Sequence, residues 1–255
     1  MQLEYVSLLE VQRDLYRIPL GMTRFQRYIK VMTGGTDEMV LPLTAMNPMG
    51  KPHVAEALEA LLAMGAEEVA AAAVEEAGRR LAHLEGRLRV GMVMADDTRG
   101  GWTNRYLTEI NHRFASKAQA SRGWAVALCW TGETWTRERV REEMLAALYR
   151  SLYVERHGAP ATLGQMMAQE GLAAVWSGGQ PPALDADDLL YTRDVIRPYR
   201  DTTAFPTVFA CLYGDEAARS VGYPPMGLSE RAGYAVAWDE ARHAALTPDE
   251  ALAPT

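Results

Sequence analysis

Two runs of this chain are almost wholly apolar over strand length, and they constrain the fold more than any other feature. They are Leu88–Ala95 (LRVGMVMA) and Trp124–Trp130 (WAVALCW). A strand that is apolar at every position, not at alternate ones, has both faces buried, and parallel sheets covered by helices are where such strands occur. Each run is followed by polar residues and then by a helical pattern. That order predicts right-handed crossovers and helices packed on a small parallel sheet.

The remaining elements follow from periodicity and punctuation. Tyr5–Tyr16 has apolar residues at helical spacing, and Thr23 is placed to cap a second helix with an apolar face of Phe25, Tyr28, Ile29 and Met32. Met39–Ala45 (MVLPLTA) reads as the first strand, at an edge because of Pro42. Pro52 opens a helix that runs to Met64, breaks near Gly65 and resumes over Glu67–Leu84. Thr103 can cap a helix to about Lys117, and Thr136 to about Arg156 carries a stripe of Val140, Met144, Leu145, Leu148 and Leu152. In the last third, Thr162 with Gln165 and Thr247 with Glu250 have capping-box spacing, and Asp185 with Asp188 can cap Leu189–Ile196. Residues 205–221 read equally as strand or helix, and Leu228–Leu246 as a helix capped by Ser229. The expectation is a helix-rich α/β fold: about three mainly parallel strands, packed helices and a helical C-terminal part. It is read as one domain over 1–255. The linker-like Ser177–Ala183 offers a subdivision into an α/β part, 1–176, and a helical part, 184–255.

Composition narrows the function classes. A net charge of −7 argues against a general nucleic-acid or anionic-membrane surface, because phosphate binding needs clustered Lys and Arg. No apolar run approaches the roughly 20 residues of a membrane helix, and the N-terminal stretch lacks a signal-peptide pattern. The two cysteines, Cys129 and Cys211, sit in apolar runs without CxxC spacing, as buried thiols of a reducing cytoplasm do. No HExxH, G-x-S-x-G, dinucleotide G-x-G-x-x-G or P-loop pattern is present.

In open parallel sheets ligands bind beyond the carboxyl ends of the strands. That rule gathers Asn47, then Asp96 and Asp97, then Thr131 and Glu133, with Lys51, His53, Arg99, Trp102, Asn104 and Arg105 from nearby helix starts. Converging carboxylates suit a divalent metal such as Mg²⁺ or Mn²⁺, or one of them can act as a general base. Asp96, Asp97 and Glu133 are therefore the candidate catalytic acids, with Asp96 and Asp97 also candidate metal ligands. Asn47, Lys51, Trp102, Asn104 and Arg105 are candidate substrate contacts. The competing role for such acids is to turn the chain or cap the next helix. The helix start at Pro52, with Lys51, is also a place where an anion can be held.

A second constellation is the pair of Glu-x-x-His spacings, Glu109/His112 and Glu240/His243. Residues i and i+3 share a helix face, and two such pairs plus two further glutamates, from Glu75 or Glu76 and Glu142 or Glu143, make the di-iron or di-manganese site of carboxylate bundles. Against it, Glu109 and His112 fall away from the apolar stripe Tyr106, Ile110 and Phe114, as a solvated face with an Arg105–Glu109 ion pair would.

The expected function is an intracellular enzyme acting on a small polar molecule, by hydrolytic or lyase-like acid–base chemistry, with or without a divalent metal. The alternative is a non-catalytic accessory or binding protein acting as a homo-oligomer. The third is the dinuclear carboxylate protein.

Overall fold

The structure is a computed structural model, and it describes residues 1–98, 104–115 and 121–253. The chain divides into two compact units, one of residues 1–108 and 118–148, the other of residues 109–117 and 149–255.

The first unit is built on a three-stranded, all-parallel sheet in the order β1-β2-β3. Its strands are β1 (Gln2–Tyr5), β2 (Arg87–Ala95) and β3 (Trp124–Trp130). β2 and β3 pair in register from Arg89–Trp124 to Ala95–Trp130. Every residue of β3 is buried, as are the last six of β2. This is the covered parallel sheet that the two apolar runs require.

The first strand is not where the sequence pattern puts it. Residues 39–45 contain no strand. Their polar backbone is satisfied locally, Val40 N and Leu41 N donating to Met32 O and Met46 N to Leu43 O, while Leu43 and Met46 fill the core. The edge strand is β1 instead, paired with β2 from Gln2–Arg87 to Tyr5–Val90. None of its four residues is fully buried, so it carries no apolar run.

β1 is shorter than β2, and the difference is made up by a side chain. Helix α1 (Leu8–Tyr16) follows β1 directly and lies along β2. Val6 N still donates to Val90 O at 2.9 Å. Further along β2, Gln12 takes over: its Nε2 donates to Met94 O (2.9 Å) and its Oε1 accepts from Met94 N (2.8 Å). Gln12 is 0% exposed. Its amide thus supplies the donor and acceptor that a longer β1 would supply, and the end of β2 stays paired. The close seat of α1 needs Gly91, where an added Cβ would lie 2.6 Å from Leu8 Cδ1 and 3.0 Å from Val6 O.

Helices α2 (Met22–Thr33), α3 (Pro52–Ala63) and α4 (Ala66–Arg80) complete the stretch between β1 and β2. α2 starts at Met22 after Gly21, not at a Thr23 cap, and it buries Arg24 and Tyr28, leaving Ile29 exposed. Arg24 donates to Ile18 O (2.7 Å) and Gly50 O (3.1 Å). α3 has Pro52 in its first turn, and Gly65, in the left-handed region at φ 80°, separates it from α4. α5 (Arg105–Phe114) lies between β2 and β3 in the chain, and α6 (Arg137–His157) follows β3. The Thr103 cap assigned from the sequence, together with Arg99 and Trp102, lies outside the described residues. The described start of α5 is held by Asn104, whose Oδ1 accepts from Leu107 N at 3.1 Å.

In the second unit all described secondary structure is helical: α7 (Leu163–Ser177), α8 (Ala186–Ile196), a 3₁₀ turn (Arg197–Tyr199), α9 (Phe205–Tyr213), α10 (Asp215–Ser220), α11 (Ala232–His243) and α12 (Pro248–Leu252). Both capping boxes form, at Thr162 and Thr247, and Asp185 caps α8 through Asp188 N. The ambiguous 205–221 stretch is helix, broken at Gly214. The helix expected from Ser229 begins at Ala232, behind Arg231, which alone among the described non-glycine residues has a positive φ, 54°. α7 and α11 pack at very close range. A Cβ on Gly171 would lie 2.1 Å from Ala237 O, so only glycine admits this crossing.

The described helices include none long and apolar enough to cross a membrane. Cys129 and Cys211 are both buried and free.

Candidate functional site at the carboxyl edge of the sheet

The carboxyl ends of β2 and β3 bring together most of the polar residues expected there, all within the first unit. β2 ends at Ala95, so Asp96 and Asp97 are the first residues past the sheet; Thr131, Gly132 and Glu133 are the corresponding residues past β3. The register fixes this, because Ala95 pairs with Trp130 and the two polar tails leave side by side.

Asp96 is 3% exposed and its carboxylate is fully engaged. Oδ1 accepts from Thr98 N (3.2 Å) and Thr131 Oγ1 (3.1 Å), and it lies 2.9 Å from His53 Nε2. Oδ2 lies 3.5 Å from Asn47 Nδ2. Burial pushes the Asp96 carboxyl towards its neutral form. The hydrogen bonds from His53, Thr98 and Thr131 and the His53 charge outweigh it, and the group is held below the usual aspartate value. An ionised carboxylate only accepts, so the His53 nitrogen facing it carries the proton.

His53 belongs to the first turn of α3, and its side chain is 9% exposed. Its other ring nitrogen, Nδ1, is buried and has no hydrogen-bond partner among the described residues. In its neutral form, with the Nε2 proton toward Asp96, the ring has an unshared electron pair on Nδ1. A His–Asp pair of this kind fixes both the tautomer and the orientation of the ring.

Asn47 comes from the loop before α3, not from a strand end. Its position is set by three bonds: Tyr16 Oη donates to Asn47 O (2.6 Å), Gly50 N donates to the same oxygen (3.0 Å), and Asn47 Oδ1 accepts from Met49 N (3.0 Å). Burial and the charge of Asp96 raise the Tyr16 phenol, so it remains a donor.

Asp97 faces the other way. Its Oδ1 accepts from Gly132 N (2.8 Å) and Thr131 Oγ1 (3.1 Å), and its Oδ2 from Arg105 Nη1 (3.0 Å). Thr131 has one hydroxyl proton and two carboxylates within reach, so it serves Asp96 or Asp97 at any instant. Thr98 Oγ1, 3.3 Å away, is the second hydroxyl of the group. Arg105 also pairs with Glu133, and Arg139 Nη2 lies 2.9 Å from Glu133 Oε2. Arg105 and Arg139 further lie over the rings of Trp130 and Trp135.

The sequence-predicted residues therefore divide. Asp96, Asp97, Glu133, Asn47 and Arg105 meet at one edge. Lys51 precedes the first turn of α3 and is exposed. Asn104 is exposed and serves as the cap of α5. Trp102 lies outside the described residues. The strand-end acids, of which Asp96 and Asp97 are expected as metal ligands and Glu133 as a catalytic acid, each have a nitrogen partner from the protein, Asp97 and Glu133 in Arg105 and Asp96 in His53. Among the described residues no group of three or more His, Cys, Asp or Glu side chains is placed to hold a metal ion. The sequence marks His53 only as a neighbour of the acids; its signal is an imidazole in a helix first turn that follows a turn-rich loop.

The two Glu-x-x-His pairs both lie in the second unit and are engaged elsewhere. Glu109 is 4% exposed, not on a solvated face. Arg231 grips it through two nitrogens (3.0 and 2.8 Å), and Arg113, four residues on, adds a third bond (2.7 Å). Arg113 and Arg150 meet again on Glu170. Glu240 is paired with Arg200, and His243 is exposed with its Nδ1 on Asp239 O at 2.8 Å. His112 is half-buried. Glu76, one of the glutamates proposed to complete the dinuclear site, is bound by Arg141.

A 98-residue stretch, 35% of the chain, is 33% identical to the uncharacterized protein YjfC of Bacillus subtilis (strain 168), and the match spans 33% of that protein's length. The chain thus matches about a third of that relative. No family model matches the sequence and no solved structure matches it.

Proposed function

We propose that the protein is an intracellular enzyme that acts on a small polar molecule by acid–base chemistry at the carboxyl edge of the sheet. His53 is the reacting acid–base group and Asp96 its positioning and charge-stabilising partner. One observation carries this reading: a buried, ionised Asp96 holds His53 Nε2 and leaves Nδ1 buried and unshared, at the sheet edge where open parallel sheets take ligands.

In this role Nδ1 takes a proton from water, for hydrolysis, or from a carbon beside a carbonyl, for elimination. The imidazolium formed lies against Asp96, and the same nitrogen returns the proton to the leaving group. Asp97, Glu133 and Arg105 form the adjoining wall, and Arg105, Asn47 and Lys51 orient substrate. No step is assigned to a metal, because the carboxylates that would bind one are bonded to His53, Arg105 and Arg139.

The test is turnover of a panel of small esters, amides and hydroxy acids, followed by mass spectrometry. His53→Gln and Asp96→Asn should each lower the rate of any substrate found by about 10²–10⁴-fold, the range for a lost general base. A substrate turned over equally by both variants would refute the assignment.

A second reading is favoured by the complete pairing of Asp97 and Glu133. Here the cluster only ties the ends of β2 and β3, and the protein is a non-catalytic homo-oligomer or binding module. Exposed Leu20, Met22 and Val40 would supply an interface. Light scattering that shows an oligomer, lost on Met22→Glu, would favour it.

A further inference from the structure

We infer that copies of this chain join head to tail, α2 of one copy docking on α8 of the next. This assembly is independent of the His53 chemistry. It uses exposed Met22, as the non-catalytic reading above does, and gives that residue a partner surface.

Both helices are seated through few side chains. α2 buries only Arg24 and Tyr28, four residues apart, and α8 buries only Thr192 and Ile196, also four apart. The opposite side of each helix is therefore a solvent face. On α2 that face carries Met22 (63% exposed) and Ile29, with Gln26 and Lys30 beside them. On α8 it carries Leu190 (58%) and Tyr191 (51%), between Asp187 and Asp194. The spacings, i, i+4, i+7, i+8 on α2 and i, i+3, i+4, i+7 on α8, are those by which amphipathic helices pack against one another.

Charge makes the two faces complements, not duplicates. Residues 15–36 contain four basic residues and no acid, in a chain whose net charge is −7. Arg24 is turned inward onto Ile18 O and Gly50 O. Arg27 and Lys30 are exposed and have no ion-pair partner among the described residues. Residues 185–194 contain four aspartates and one cation, Arg193, which is paired with Asp239. Asp187 is exposed and has no ion-pair partner among the described residues, and Asp194 meets Arg197 at 3.2 Å, both side chains largely exposed. Two α2 faces brought together would set cation against cation, and two α8 faces acid against acid, which opposes association. α2 on α8 instead sets Arg27 and Lys30 beside Asp187 and Asp194, and takes Met22, Ile29, Leu190 and Tyr191 out of water. Every chain carries both halves of this contact, so the occupant that suits each face is a second copy. Such a contact is heterologous: each added copy leaves one α2 and one α8 face open, and assembly continues as a ring or an open chain.

The experiment is sedimentation velocity of the full chain over a concentration series. Wild type should associate as concentration rises, and association should weaken in about 1 M salt, where charges are screened beyond ~3 Å. Arg27→Glu with Lys30→Glu makes both faces acidic, and Asp187→Lys with Asp194→Lys makes both basic. The substituted side chains are exposed, so both variants should keep the fold, checked by circular dichroism. Each alone should associate at least about tenfold more weakly than wild type, because like charges then face one another. Mixed in equal amounts, the two should associate again, since each finds its opposite in the other. A wild type that stays monomeric, or variants that associate as wild type does, would overturn the inference. So would an oligomer that Met22→Glu and the α2 variant both abolish but mixing does not restore; that outcome leaves the non-catalytic reading standing with a different interface.

Discussion

Gln12 offers the sharpest test of how the sheet end, and with it the site, is held. Gln12→Met keeps the length and apolar stem of the side chain and removes both polar atoms. Met94 N–H and C=O, buried at the edge that β1 does not reach, then lose their partners (2.8 and 2.9 Å). An unsatisfied buried backbone group costs about 1–3 kcal/mol, so the loss should be about 2–6 kcal/mol, toward the lower end where water enters. Urea unfolding measures the whole effect, and hydrogen exchange at the Met94 amide localises it. The amide should exchange much faster in the variant while amides of β3 change only in line with global stability. A loss under about 0.5 kcal/mol, with Met94 still protected, would show that Gln12 does not substitute for a strand.

Three further outcomes follow from the same reasoning. Asp96 has a folded value below its unfolded one of about 3.9, so its stabilisation is present above that pH and lost as pH falls through the folded value; the gap between wild type and Asp96→Asn in urea midpoint should therefore narrow below about pH 4. Carbethoxylation followed by mass spectrometry should label exposed His243 well before His53, and Asp96→Ala should speed labelling of His53 by releasing the ring. Glu170→Gln removes the buried negative charge shared by Arg113 and Arg150 and turns one acceptor oxygen into a donor, and it should cost about 3–5 kcal/mol in the second unit, read by unfolding.

What the sequence discloses here depends on how many faces of an element are buried. β3 and the last six residues of β2 are buried on both faces, so their burial is written in consecutive apolar residues, and the parallel sheet and its acidic carboxyl edge can be read directly. β1 is half-exposed and four residues long, and its pairing is completed by Gln12, which no propensity reveals. Met39–Ala45 has a strand's composition because Leu43 is a core residue, yet its backbone bonds run to Met32 and within the loop. Partners distant in sequence are the other blind spot. Glu109 sits in an amphipathic helix in which local neighbours suggest a solvated ion pair, but Arg231, 122 positions on, buries it. His53 and Asp96 are 43 residues apart, and only the fold makes them a pair.

The central claim is that Asp96 fixes His53 as an Nε2-protonated ring with an unshared Nδ1. Long-range ¹H–¹⁵N correlation of the imidazole nitrogens tests it most directly. At a pH where His53 is neutral, the account predicts a proton on Nε2, a bare Nδ1, and loss of that tautomer preference in Asp96→Asn. A proton on Nδ1, or a spectrum unchanged by Asp96→Asn, would contradict it.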